Sequence, residues 1–228
     1  MDTKKSERHV MNRPSYWNHN AAYYPWVAAK THGCRRVLDV GCGNGELALL
    51  LARDSRCVTG IDPSEVCIAR ARTRAGRKNV HFVCTSLEDF SAEEPYDAIV
   101  FVASLHHMDM RGAIARAKEL LAAGGVIAVV GLALPSTLLD HVVDTLRVIP
   151  SWVSSRLHRM QTSEELGVPT AYDLPTMAQV RELAVELLPG ATIRPGLHWR
   201  YLLLWKKGIE AGSDRAGSNR SPRLYPNP

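Results

Sequence analysis

Residues 39–46 read Asp39-Val40-Gly41-Cys42-Gly43-Asn44-Gly45-Glu46, placing three glycines at alternate positions between a short apolar run and a segment of helical character. Glycine lets the chain turn sharply and lets a ligand approach the backbone with no Cβ in the way. The run before it, Val37-Leu38-Asp39-Val40, is almost wholly apolar, as expected of a strand buried on both faces. Glu46 to Arg53 follow as a helix. A strand, a glycine-rich turn and a helix in that order open a doubly wound α/β fold, whose ligands lie beyond the carboxyl ends of its strands.

The alternation continues. Residues 58–61, 80–83, 98–102 and 126–130 read as strands. Residues 64–74 form a helix capped by Ser64 or Asp62, and Arg111 to Leu121 another, closed by Gly124-Gly125. Strands and helices at this spacing imply right-handed crossovers and a parallel sheet. After the fifth strand the rhythm breaks. Residues 132–175 hold several prolines and apolar residues at helical spacing (Leu138, Leu139, Val142, Val143, Leu146), an inserted helical cap. A helix over 177–188 and two strands near 191–194 and 199–205 close the domain. The expected organisation is a flexible terminus at 1–15, a domain over 16–206 and a disordered, Gly/Ser/Pro-rich tail at 207–228.

At 228 residues there is room for one α/β domain with a full core. The net charge of +5 raises nucleic acid as a partner, but much of the excess sits near the ends and no basic stripe with interleaved aromatics crosses the middle. Neither nucleic acid nor membrane is expected: the longest apolar run, Val126 to Leu134, is far too short to span a bilayer. Five cysteines without a Cys-x-x-Cys pair or a zinc pattern read as reduced thiols of a cytoplasmic protein, with no metal. The chain is expected to act as a monomer or homodimer.

Two cofactors compete for the glycine loop. A dinucleotide fold needs Gly-x-Gly-x-x-Gly with the pyrophosphate on the helix N-terminus, and here the third position holds Glu46. An acid facing two phosphates is unfavourable. Asp39, just before the loop, suits a cation instead, and S-adenosylmethionine carries a sulfonium and an ammonium. Asp62 closes the second strand, where a carboxylate can either accept both ribose hydroxyls or cap the next helix.

The chain resembles the class I S-adenosylmethionine-dependent methyltransferases of the small-molecule, type 11 kind. The resemblance covers roughly residues 16–206. It is carried by the glycine loop, Gly60-Ile61-Asp62-Pro63-Ser64, Ser86-Leu87-Glu88-Asp89-Phe90, Tyr96-Asp97-Ala98-Ile99-Val100, Leu105-His106-His107 and Leu120-Leu121-Ala122-Ala123-Gly124-Gly125. It implies a Rossmann-like seven-stranded, mostly parallel sheet with an antiparallel last strand. It places the methionine moiety on Gly41, Gly43 and Gly45, the ribose on Asp62 and the adenine beside Ser86 and Leu87. The family often has aspartate where this chain has Ser86, which accepts without a charge. The expected cofactor contacts are Tyr23, Asp39, Gly41, Cys42, Gly43, Asp62, Pro63, Ser86, Leu87 and Val102.

Methyl transfer from a sulfonium is an in-line displacement with an activated donor, so alignment and water exclusion come first and a base serves only a protonated nucleophile. His106 and His107 follow the fourth strand and either move a proton or pack the loop. His19, Tyr23 and Tyr24 belong to an aromatic-rich segment expected to close over the cofactor; Tyr23 either bonds the methionine carboxylate or packs. His19, Tyr24, His107 and Trp152 of the cap are the candidate acceptor contacts, while Trp199 and Tyr201 read as packing residues. No Asn-Pro-Pro-Tyr-like run follows the fourth strand; Val102-Ala103-Ser104-Leu105 stands there. The expected activity is methylation of O, N, C or S of a small metabolite in bacterial specialised metabolism. The alternatives are a nucleic-acid or protein methyltransferase and a non-catalytic cofactor-binding module.

Overall fold

The structure, a computed structural model, describes residues 19–136, 174–197 and 199–209. A 3₁₀ turn, Ala21–Tyr23, leads into α1 (Tyr24–Lys30). Then come β1 (Arg36–Val40), α2 (Glu46–Leu51), β2 (Cys57–Asp62), α3 (Glu65–Arg74), β3 (Val80–Cys84) and β4 (Tyr96–Val102). A second 3₁₀ turn, Leu105–His107, precedes α4 (Met110–Leu120) and β5 (Leu121–Leu132). The domain closes with α5 (Met177–Leu187), β6 (Thr192–Pro195) and β7 (Arg200–Lys206).

The seven strands form one sheet in the order β3-β2-β1-β4-β5-β7-β6. β1 to β5 pair in parallel, and β7 runs antiparallel between β5 and β6. This is the doubly wound architecture expected from the alternation. β1 and β4 are neighbours, so the chain winds outward in both directions from them, and the switch point lies at their carboxyl ends.

Each central strand buries both faces, which is why its sequence is an unbroken apolar run. Leu38, Val40, Ile99, Phe101, Ile127 and Val129 pack one face against Ile114 and Ala117 of α4 and Val180 and Ala184 of α5. Val37, Val58, Ala98, Val100 and Ala128 pack the other against Val27, Leu47, Leu51, Ile68 and Ala71 of α1, α2 and α3. Helices α3, α4 and α5 start at side-chain caps. Ser64 Oγ accepts from Cys67 N at 3.3 Å, so of the two cap candidates for α3 it is Ser64 that bonds the first turn. Asp109 accepts from Arg111 N and Gly112 N at the start of α4, and Thr176 and Gln179 form a capping box on α5.

Some boundaries move. α2 ends at Leu51 rather than Arg53, and α4 gives way to strand already at Leu121. Tyr96 pairs with Leu121 while Ala98 pairs with Val126, so residues between the two partners bulge out of the ladder. Most of the cap read at 132–175, the terminus at 1–15 and nearly all of the tail at 207–228 lie outside the described residues. Among the described residues, no helix is long and apolar enough to cross a membrane.

Candidate cofactor and acceptor site

A cavity of about 490 Å³ opens at the switch point, a size suited to a small-molecule ligand. Its floor is the glycine loop. Gly41 N and Cys42 N both donate to Ile61 O, at 2.9 and 3.0 Å, which hangs the loop on the end of β2. Gly41 has φ +71°, and a Cβ there would stand 2.4 Å from Ser104 Cβ, so a side chain would drive the loop off the segment that follows β4. Gly43, at φ +51°, has nothing within 4 Å of its would-be Cβ. It lines the cavity, and a side chain there would project into open space.

Asp62 fastens this loop to its neighbour. Oδ2 accepts from Gly43 N and Oδ1 from Ser64 N, both at 2.9 Å. Each carboxylate oxygen has a second lone pair, so both can still accept from a pair of hydroxyls in the cavity. The structural and binding roles weighed for this residue are therefore compatible.

Asp39 lies one residue before the end of β1 and is 2% exposed. The Ala48 backbone N–H bonds its carboxyl, but Oδ2 has no partner among the described residues. Burial, aided by the negative charges of Asp62 and Glu46, pushes its pKa from 3.8 to about 7. Glu46 also lines the cavity and is paired with Arg74. A loop ringed by three acids repels phosphate and favours a positively charged ligand.

Of the residues expected to touch a cofactor, Asp39, Gly41, Cys42, Gly43, Asp62, Pro63, Ser86, Leu87 and Val102 line this cavity. Tyr23 does not. Its hydroxyl donates to Leu197 O at 2.9 Å and accepts from Leu197 N, so it is engaged by backbone. Ser86 Oγ donates to Asp89 Oδ2 at 2.8 Å and accepts from Asp89 N at 3.1 Å, which commits its proton and leaves a lone pair for a donor.

The two histidine rings lie with centroids 4.2 Å apart but line different hollows. His107 lines the cavity, with its pKa lowered by burial. His106 faces a second groove bounded by Leu174, Pro175, Gln179 and Glu182, and its buried Nδ1 has no partner among the described residues. Burial first, then His107 and Arg200, hold its pKa down to about 4. A neutral ring that weakly basic, turned from the cavity, is poorly suited to take a proton there. Among the acceptor candidates Tyr24 lines the cavity, His19 does not, and Trp152 lies outside the described residues. Tyr201 is buried as expected, but Trp199 is 64% exposed.

Asn20, Thr85, Glu88, Ala103, Ser104, Met108 and Asp109, none of them a candidate from sequence, also stand on the cavity wall. All but Asn20 stand in the few residues after β3 or β4, and extending each strand past its last apolar residue would have found them. Among the described residues, no group of three or more His, Cys, Asp or Glu could hold a metal ion.

Residues 37–125 match the family described as "Methyltransferase domain". The chain is 35% identical over 206 residues to an uncharacterized methyltransferase of Mycobacterium tuberculosis strain H37Rv, covering 87% of this chain and 100% of that protein. Its fold is similar to that of the N-methyltransferase NodS from Bradyrhizobium japonicum in complex with S-adenosyl-L-homocysteine, with a TM-score of 0.57, 18% identity and coverage of 82% and 84% of the two chains. An rRNA methylase from Streptococcus thermophilus shares it too, with a TM-score of 0.54, 17% identity and coverage of 84% and 98%.

Proposed function

The chain belongs to the class I S-adenosylmethionine-dependent methyltransferases, and from that premise we propose that its acceptor is a small metabolite, methylated at O, N, C or S. The observation that carries the cofactor side is the ring of acids around the glycine loop, above all the buried, half-partnered Asp39. Bound S-adenosylmethionine supplies a methyl group already activated by its sulfonium. On this reading Asp39 holds the ammonium end, Asp62 the ribose hydroxyls, and Ser86 and Leu87 border the adenine. Gly43 leaves the room that the methionine chain needs.

The residues of the chain then align and desolvate rather than activate. On the same reading His107, which lines the cavity after β4, accepts the proton where the acceptor is a hydroxyl. The residues just past the end of β4 support the small-molecule reading. Ser104 is buried and its hydroxyl donates to Val40 O at 2.6 Å, and Ala103 stands at φ +54°. Neither carries a side-chain amide oxygen of the kind that would hold an amino nitrogen of a base. The fold itself does not choose, since neighbours named for rRNA and for N-methylation share it. Cytoplasmic action in bacterial specialised metabolism completes the proposal.

Calorimetric titration with S-adenosylmethionine, S-adenosylhomocysteine and NAD in parallel tests the cofactor side. Binding of the first two without NAD is expected, and binding of NAD alone would overturn it. Release of S-adenosylhomocysteine with a panel of hydroxy, amino and thiol metabolites tests the acceptor side. Turnover only on RNA, with binding that weakens steeply as salt rises, would sink the small-molecule reading.

A further inference from the structure

Asn20 lines the cofactor cavity from the amino-terminal side, and what holds it comes from the far end of the chain. Arg200 donates from Nε at 3.1 Å and from Nη2 at 2.6 Å to Asn20 Oδ1, across 180 positions. The guanidinium is mostly buried, and burial draws its pKa down to about 10, so it is still a cation at neutral pH. Three residues after Asn20, the Tyr23 hydroxyl bonds both the carbonyl and the N–H of Leu197, across 174 positions. Asn20 and Tyr23 are thus gripped by the two arms of the turn that joins β6 to β7.

The turn is shaped for this grip. A Cβ on Gly196 would stand 2.6 Å from Tyr23 Oη, so only glycine admits the phenol there. Gly196 N donates to Arg200 O, closing the turn, and Trp199 takes φ +54°, a conformation costly for a bulky residue. The gripped segment is anchored in the core further along, by Val27 of α1. It is a three-residue 3₁₀ turn followed by a seven-residue helix, too short to be stable alone. Yet Asn20 and Tyr24, on either side of the 3₁₀ turn, both line the cavity.

We propose that Arg200 and Tyr23 are positioning residues, a latch through which the β6–β7 turn holds the Asn20–Tyr24 segment over the cofactor and so sets how long the cofactor stays. Neither side chain lines the cavity. Their effect passes through Asn20 and Tyr24, and the proposal rests on the cofactor reading given above. Arg200 uses two donors of a planar fork on one oxygen, a pattern that lysine matches only in part.

The test is stopped-flow release of S-adenosylhomocysteine from the full chain, with melting temperature recorded alongside. Arg200→Met should speed release by roughly tenfold or more, the loss expected for hydrogen bonds from a charged donor. Tyr23→Phe should speed it by about two- to tenfold. Arg200→Lys should fall between wild type and Arg200→Met. Asn20→Ala combined with Arg200→Met should release no faster than the quicker of the two single variants, because both break one contact. A purely structural role would lower the melting temperature and leave release from the folded protein unchanged in all of them, and that result overturns the latch. If Arg200→Met does not fold, Tyr23→Phe and Arg200→Lys decide alone. If the wild type binds neither S-adenosylmethionine nor S-adenosylhomocysteine, the cofactor reading falls and the latch with it. Tight binding by wild type with unchanged release in the variants removes only the latch.

Discussion

Replacing Asp39 by asparagine should stabilise the ligand-free protein and weaken its hold on the cofactor, and the first effect should depend on pH in a stated direction. The folded-state pKa of Asp39 is raised from 3.8 to about 7, so between those values the folded protein holds a proton that the unfolded chain has released. Stability therefore falls as pH rises from about 4 to 7. At about 1.4 kcal/mol per pH unit the whole interval costs ~4 kcal/mol once pH exceeds 7. Asparagine carries no charge, and its oxygen can still accept from the Ala48 N–H. Its amide N–H inherits the place of the unpartnered Oδ2, at a cost of about 1–3 kcal/mol. The net gain at pH 8 is about 2 kcal/mol, or roughly 4–8 °C in melting temperature for a domain of this size. At pH 5 less than half of the penalty remains, and the gain should vanish. Calorimetric melting of both proteins at pH 5 and pH 8 measures this directly. Titration with S-adenosylmethionine at pH 8 should show affinity lower by roughly tenfold in the variant, the loss of a charge-assisted contact. A melting difference equal at both pH values would refute the assignment of the charge to Asp39, and unchanged affinity would refute its contact with the cofactor's cation.

Other substitutions separate binding from fold. Asp62→Ala should cost about 1–3 kcal/mol of S-adenosylhomocysteine affinity, measured by calorimetry, and Asp62→Asn less, because an oxygen remains for the Gly43 N–H. Equal affinity in all three proteins would remove Asp62 from the ribose site. His107→Gln should lower turnover on a hydroxyl acceptor by roughly 10²–10⁴-fold if it moves the proton, while His106→Gln, in the neighbouring groove, should stay within severalfold of wild type; the reverse order would exchange their roles. Gly45→Ala should lose about 2–4 kcal/mol of unfolding free energy in urea, from its φ of +81° and from a Cβ placed 2.5 Å from Phe82 Cζ. Phe82→Leu in the same chain should restore part of that loss.

The sheet was legible because each parallel strand is buried on both faces and spells itself as an apolar run, as Val37-Leu38-Asp39-Val40 does. The cavity wall was legible for a related reason. Residues at the carboxyl ends of adjacent parallel strands must converge, so Asp39, Asp62 and Ser86, far apart in sequence, are brought to one cavity by topology alone. Which of two adjoining residues lines the cavity was not legible. His106 and His107 adjoin in the chain, but a 3₁₀ turn advances about a third of a revolution per residue, and successive rings face different grooves. Tyr23 and Tyr24 part in the same way at another 3₁₀ turn. The partner of Tyr23 is a backbone group at Leu197, which no local pattern announces. The end of α4 was missed because Leu120-Leu121 is apolar in both a helix and a strand.

The cofactor preference argued from sequence turns on charge more than on shape. A glycine loop after β1 gives the same open turn to a dinucleotide and to a sulfonium ligand, so the loop alone cannot distinguish them. Asp39 and Glu46 can, because both line the cavity and raise no barrier to a cation while opposing a pyrophosphate. Asp62 would serve either ligand, since both carry a ribose; discrimination therefore rests on Asp39 and Glu46. Of these, Glu46 is already neutralised in part by Arg74, whereas Asp39 is buried beyond the reach of solvent screening. Asp39 is thus the residue where selectivity and instability meet, one carboxylate that costs the empty fold stability and favours a cationic ligand over an anionic one.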